Sequence, residues 1–267
     1  MEDSETKMGL KKAIAEATRE TPAYDFLRDS YQRIFNRSYW AQRQRISSFF
    51  SQFVKRDNLV FDVGANQGEY THMFVSLGAR VISVEPNPQL TANLKRIRPF
   101  NRITVESAAV GSKNGTAELF LCDHDVLSTL SPDWVAVAEK SERFSGIKWN
   151  QKITVPVLTL DELIKKYGMP SFIKIDVEGY ENDALAGLSI APRYLIFEVN
   201  TEVPDLAVKC VRQKCFSASS RFNLTFGLRT DFFFSNWIPG EEMVKFLGTA
   251  EFQNQKTYGD ILVRTDA

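Results

Sequence analysis

The chain has 267 residues, enough for one large domain with a substantial core or for two small ones. Its 33 Lys and Arg balance 33 Asp and Glu, and 43% of its residues are apolar, so no polyanionic partner such as nucleic acid is expected. No apolar run approaches the roughly 18–20 residues of a membrane-spanning helix, and the three cysteines, without Cys-x-x-Cys spacing, read as reduced packing residues rather than a zinc site.

Residues 1–56 read as a polar, helical extension ahead of a main domain at 57–267. The opening Met1-Glu2-Asp3-Ser4-Glu5 has no secretory pattern, so a cytoplasmic location is expected. Charges alternate from Lys11 to Glu20, and Thr21-Pro22 breaks the run. Phe26, Tyr31, Ile34 and Phe35, then Ile46, Phe49, Phe50 and Phe53, recur at helical spacing. Packing is the simplest role for this extension; covering a substrate and forming a homodimer through its helices are the alternatives.

From Leu59 the pattern changes to short apolar runs at 59–63, 80–85, 103–107, 172–176 and 193–199, rich in Val, Ile and Phe. Helices fit between them at Glu69 to Leu77, Pro88 to Arg96, Asp161 to Tyr167 and Glu181 to Ala186. This alternation predicts a doubly wound, mostly parallel α/β sheet. Residues 112–160 interrupt it: Ala117 to Leu121 and Lys152 to Leu158 read as extra strands at an antiparallel edge, with a polar loop over Asp123 to Asn150. A helix at 204–214, a strand at 223–228 and a last strand from Asp260 to Arg264 close the chain. The aromatics Phe232 to Phe234, Trp237, Trp134 and Trp149 read equally as core or as walls of a substrate pocket.

The informative polar residues fall at the carboxyl ends of the expected strands: Asp62, Glu85, Ser107, Asp176 and Glu198. Open α/β sheets bind ligands there. After the first strand comes Asp62-x-Gly64-x-x-x-Gly68, neither a dinucleotide fingerprint nor a phosphate loop with its Lys-Ser/Thr. Glu85 follows Gly64 by 21 residues, the placing of an acid that grips a ribose diol. Asp176, Glu178 and Glu181 lie within six residues, and Glu198 ends the next strand. Crowded carboxylates raise one another's pKa and make a general base; hard oxygens equally suit Mg²⁺ or Ca²⁺. Glu181 reads as an acid at the positive end of the following helix. Of the two histidines, His72 reads as a surface or packing residue and His124, in the loop, as a second choice of base.

Taken together, the blocks Val60-Phe61-Asp62-Val63-Gly64-Ala65-Asn66-Gln67-Gly68, Val84-Glu85-Pro86-Asn87-Pro88, Ala108-Ala109-Val110-Gly111, Val157-Leu158-Thr159-Leu160-Asp161-Glu162-Leu163 and Ile173-Lys174-Ile175-Asp176-Val177-Glu178-Gly179-Tyr180-Glu181 resemble the FkbM family of class I S-adenosylmethionine-dependent methyltransferases. The resemblance covers roughly residues 58–200; residues 1–55 and 228–258 carry none of it. It implies a seven-stranded Rossmann-like methyltransferase sheet and S-adenosyl-L-methionine as cofactor. Asp62, Gly64, Ala65, Asn66 and Gly68 would form the turn that cradles the methionine half. Glu85 would take both ribose hydroxyls, Pro86 and Asn87 would flank the adenine, and Ser107 and Ala108 would add adenine contacts. Asp176 would lie beside the sulfonium methyl. The implied reaction is O-methylation of a hydroxyl on a sugar, polyketide or other secondary metabolite, a small molecule rather than a nucleic acid or a membrane. Asp176, Glu198, Glu178 and then His124 are the candidate catalytic groups. A divalent metal is an option without being expected. The alternatives are N-methylation of a small molecule and a binding module without catalysis.

Overall fold

The structure is a computed structural model that describes residues 37–122, 127–227 and 229–265. Residues 37–48 and 49–265 belong to two separate compact units. In the first, the helix α1 (Arg37–Phe50) begins; the helices expected earlier in the chain lie outside the described residues.

The second unit runs β1 (Leu59–Val63), α2 (Glu69–Ser76), β2 (Arg80–Val84), α3 (Pro88–Leu94), β3 (Ile103–Glu106), β4 (Ala109–Val110), β5 (Gly115–Leu121), α4 (Pro132–Ala138), β6 (Gln151–Leu158), α5 (Leu160–Tyr167), β7 (Phe172–Ile175), α6 (Glu181–Ala186), β8 (Tyr194–Asn200), α7 (Pro204–Val211), β9 (Arg221–Phe226), β10 (Ile238–Pro239), α8 (Gly240–Leu247), α9 (Ala250–Gln253) and β11 (Tyr258–Arg264). Eight strands form one sheet in the order β10-β9-β11-β8-β7-β1-β2-β3. β3, β2, β1, β7 and β8 are parallel, and β11 is antiparallel to both β8 and β9. The doubly wound, mostly parallel Rossmann-like sheet is thus present, with eight strands rather than seven. The eighth, β10, has two residues paired to β9, too few to carry a period-2 signal.

The central strands are hydrophobic on both faces because helices cover both: Val60, Phe61, Val63, Phe172, Ile173 and Ile175 are all buried. Burial of each such side chain contributes about 1.5–3 kcal/mol. Around Phe172 the rings of Phe50, Phe74 and Phe53 close the layer between sheet and helix. α5 shows how local sequence sets an element: Thr159 accepts from the Glu162 amide at its start, acids occupy its first turn, and Lys165 and Lys166 its last. Register keeps the strand ends level, with Val63 beside both Val84 and Ile175, and Ile175 beside Phe197. One rim of the sheet therefore collects the residues that follow these positions.

Residues 109–158 depart from expectation. β4, β6 and β5 form a separate three-stranded sheet rather than an edge of the main one. The stretch expected as a loop contains α4, capped by Ser131, whose side chain accepts from the Trp134 amide, with Pro132 at the first helical position. Trp134 and Trp149 are core residues packed with Cys122, Ala138 and Phe144. Phe232 packs on Phe49 and Phe53, and Phe233 and Phe234 pack on Phe246. None of these aromatics lines the large cleft described next.

Candidate active site

A cleft of about 330 Å³ lies at the carboxyl ends of β1, β2 and β7, lined among others by Gly64, Ala65, Asn66, Glu85, Pro86 and Ala108, and further in by Lys174, Asp176 and Glu178. Its floor begins with a crossing of two backbones. Gly64 has φ +76°, and a Cβ there would run into the carbonyl oxygen of Asp176. Only glycine allows both the left-handed turn and this approach.

The second wall is Glu85, 5% exposed. The Asn66 amide donates to its Oε2 at 2.9 Å and the Asn87 amide to its Oε1 at 2.9 Å. Asn66 reaches this position with φ +49°, and its own Oδ1 accepts from the Gln67 amide. Two fixed N–H groups hold the carboxylate at the cleft in one orientation.

Deeper, Lys174 and Asp176 sit two residues apart around the end of β7. The Lys174 Nζ donates to Asp176 Oδ2 at 2.8 Å and lies 4.2 Å from the centre of the Tyr70 ring. Lys174 is 3% exposed. Burial disfavours its charge, but Asp176, Tyr70 and Asp62 outweigh burial and hold its pKa above the ordinary lysine value.

Glu178 sits on the next turn with φ +52°, unusual for a residue with a side chain. Neighbours hold it there. The Thr129 hydroxyl donates to the Glu178 carbonyl at 2.6 Å. Glu181 Oε1 accepts from the amides of Val177 and Gly179 at 3.0 and 3.3 Å. Gly179, φ +81°, lies under Trp134, so a Cβ there would be 2.6 Å from the indole Cγ. Glu181 stands in the first turn of α6, where an acid was expected, and its carboxylate also braces the loop ahead of that helix.

β8 brings Glu198 to the same place. Oxygens of Asp176, Glu178 and Glu198 lie within 4.8 Å of one another. Burial raises the Glu178 pKa well above the usual carboxylate range, Asp176 and Glu181 push the same way, and Arg143 opposes. Burial likewise raises Glu198, reinforced by Asp176, Glu178 and Asp260. Asp260, opposite Glu198 in the β11–β8 ladder, is pushed up to about 7 by burial against the pull of Lys174. A carboxylate raised in this way holds a proton more readily than an ordinary one, the direction in which a general base is tuned. Three hard oxygens also match a divalent cation in kind.

Several residues singled out in the sequence do not line the cleft. Asp62 is fully buried behind the turn, where Thr71 Oγ1 donates to its Oδ2 at 2.6 Å; its Oδ1 has no hydrogen-bond partner among the described residues. Asn87 caps α3 through the Gln89 amide. Gly68 opens α2, and Ser107 is exposed. Glu198 reaches the cluster from beside the cleft rather than from its lining. His124 lies outside the described residues. Sequence reasoning passed over Lys174, Tyr70, Asp260, Asn200 and Arg143. Lys174 carried a readable signal, a cation inside an apolar strand that must find a partner; the others carried none.

The residues present fit a nucleoside with a cationic end. Gly64 leaves a cradle that a Cβ would fill, Glu85 offers fixed acceptors, and the acidic floor opposes polyphosphate.

A family model described as methyltransferase FkbM domain matches residues 62–208, more than half of the chain. A search of curated proteins found no match. Among solved structures, the precorrin-6y C5,15-methyltransferase of Geobacter metallireducens is similar at 10% identity and a TM-score of 0.40, over 84% of this chain and 87% of that one. The plantazolicin methyltransferase BpumL, solved with a desmethyl plantazolicin analogue and S-adenosylhomocysteine (SAH), is similar at 9% identity and a TM-score of 0.38 over the whole of both chains. The S-adenosylmethionine-dependent O-methyltransferase of Thermotoga maritima is similar at 10% identity and a TM-score of 0.38, over 83% of this chain and 65% of that one.

Proposed function

The chain belongs to the FkbM methyltransferase family, and from that premise we propose that it methylates a hydroxyl oxygen of an uncharged small molecule, a sugar, polyketide or similar metabolite. The observation that carries this reading is the run of one cleft from the amide-fixed carboxylate of Glu85 to the carboxylates of Asp176 and Glu178.

S-adenosylmethionine, when bound, supplies a methyl group already activated on a sulfonium. Glu85 would accept from its ribose hydroxyls, Gly64, Ala65 and Asn66 would pass backbone beside its methionine half, and Pro86 and Ala108 would border its adenine. The chain's remaining task is to orient the acceptor and remove its proton. An alcohol needs that help more than a thiol or amine does. Glu178 and Glu198, raised by burial and by mutual repulsion, are suited to take the proton. Lys174 keeps Asp176 paired at its side, and the acids that surround the site disfavour phosphorylated acceptors.

The test is a thermal-shift and calorimetric titration with SAH, NAD and a UDP-sugar in parallel. Stabilisation by SAH alone supports the reading, and no response to SAH overturns it. Incubation with ¹³C-methyl donor and panels of hydroxyl and amine acceptors then reads the acceptor atom directly, because O-methyl and N-methyl carbons resonate apart.

A further inference from the structure

Glu198 is served by a second line of residues that reaches it from outside the cleft. Asn200 lies two positions along β8, 3% exposed, and its Nδ2 donates to Glu198 Oε1 at 3.1 Å. Its Oδ1 accepts from Arg143 Nη1 at 3.0 Å. Arg143, in the turn Glu142–Phe144 after α4, is in turn paired with Glu202 at 3.4 Å and rests on the rings of Phe144 and Tyr258.

The chemistry of these groups leaves one arrangement. A guanidinium has donors only, so the amide oxygen of Asn200 must face Arg143. The amide nitrogen must then face Glu198 and donate to it. A flipped amide would set NH₂ against the guanidinium and oxygen against the carboxylate, two repulsive contacts in a buried place. Around Glu198 stand Asp176, Glu178, Asp260 and Glu181, which all oppose its ionisation; the Asn200 donor favours the ionised form and fixes which oxygen stays turned to the other acids.

We infer that Arg143 and Asn200 are positioning residues: Arg143 sets the amide of Asn200, and Asn200 holds the Glu198 carboxylate in the orientation that proton removal needs. The array's catalytic purpose rests on the methyltransferase reading above; its geometry does not.

The array is tested without any acceptor, on the full ¹⁵N-labelled chain. The side-chain NH₂ of Asn200 is assigned by its loss in Asn200→Leu. It should show one strongly shifted, slowly exchanging proton. Glu198→Gln should move that proton's resonance back toward the value of a neutral partner. Arg143→Ala, at a partly exposed position, should speed its solvent exchange on the order of 10-fold, the loss of a charge-assisted anchor. An Asn200 amide that exchanges freely in the unaltered chain, or that ignores both substitutions, overturns the inference. SAH binding is scored separately: its absence ends the methyltransferase reading and leaves this result standing.

Discussion

The Lys174 ammonium lies 2.8 Å from the Asp176 carboxylate, inside a strand whose other residues are all apolar. A cation and an anion two residues apart at the end of a central strand fix each other across the base of the cleft. Lys174→Met keeps the volume but leaves Asp176 and the buried Asp62 without their cation. Breaking a buried pair by removing one partner costs about 3–5 kcal/mol, and the partial exposure of Asp176 places the expected loss at the lower end. Urea unfolding reads it; a stability within 1 kcal/mol of the parent, on the order of a surface change, would remove Lys174 from this role.

Gly64→Ala tests the backbone crossing. The new Cβ meets the Asp176 carbonyl in a left-handed turn, so the turn and the end of β7 must separate. The expected cost is about 1–3 kcal/mol for the strained turn, with loss of SAH binding beyond what that destabilisation explains. Calorimetry at a temperature where the variant is folded separates the two effects.

Glu85→Gln keeps the shape of the side chain and removes its charge. If the carboxylate accepts from both ribose hydroxyls, SAH affinity falls on the order of 10-fold or more, at about 1.5–3 kcal/mol for a hydrogen bond to a charged group. Equal affinity in variant and parent would exclude the ribose assignment.

Stability should fall as pH rises toward neutrality. Burial pushes Glu181 up to about 7 and Asp260 up to about 7, above the values of an unfolded carboxylate. The folded chain therefore binds more protons than the unfolded chain between the two values. The stabilisation is complete below the unfolded pKa and is lost as pH passes through the folded one, with a slope of at most about 1.4 kcal/mol per pH unit for each group. Urea midpoints at pH 6 and pH 8 measure it, and Asp260→Asn should flatten the difference.

The parallel half of the fold was legible because β1, β2 and β7 are apolar on both faces and end in an acid or a glycine turn. The acidic meeting point was legible for the same reason: parallel strands with level ends bring Asp176 and Glu198 together whatever the side-chain detail. What could not be read was direction. Asp62 and Asn87 occupy the expected positions, yet their carboxylate and amide turn to Thr71 and to the α3 amide, because a buried oxygen takes the nearest donor. Residues 127–150 were opaque for another reason. Ser131-Pro132 starts a helix of only seven residues, too short for a periodic signal, and Trp134 is buried by partners distant in sequence. Asn200 and Arg143 acquire meaning only from each other, 57 residues apart.

The grip of Thr129 and Trp134 on the Glu178–Gly179 turn divides labour within the molecule. Strand ends set which charges are present, while an arm inserted between β5 and β6 sets where one of them points. The turn that carries Glu178 is thus held by contacts from a segment far from it in sequence, whereas the Gly64 crossing and the Glu85 hydrogen bonds are made without that segment.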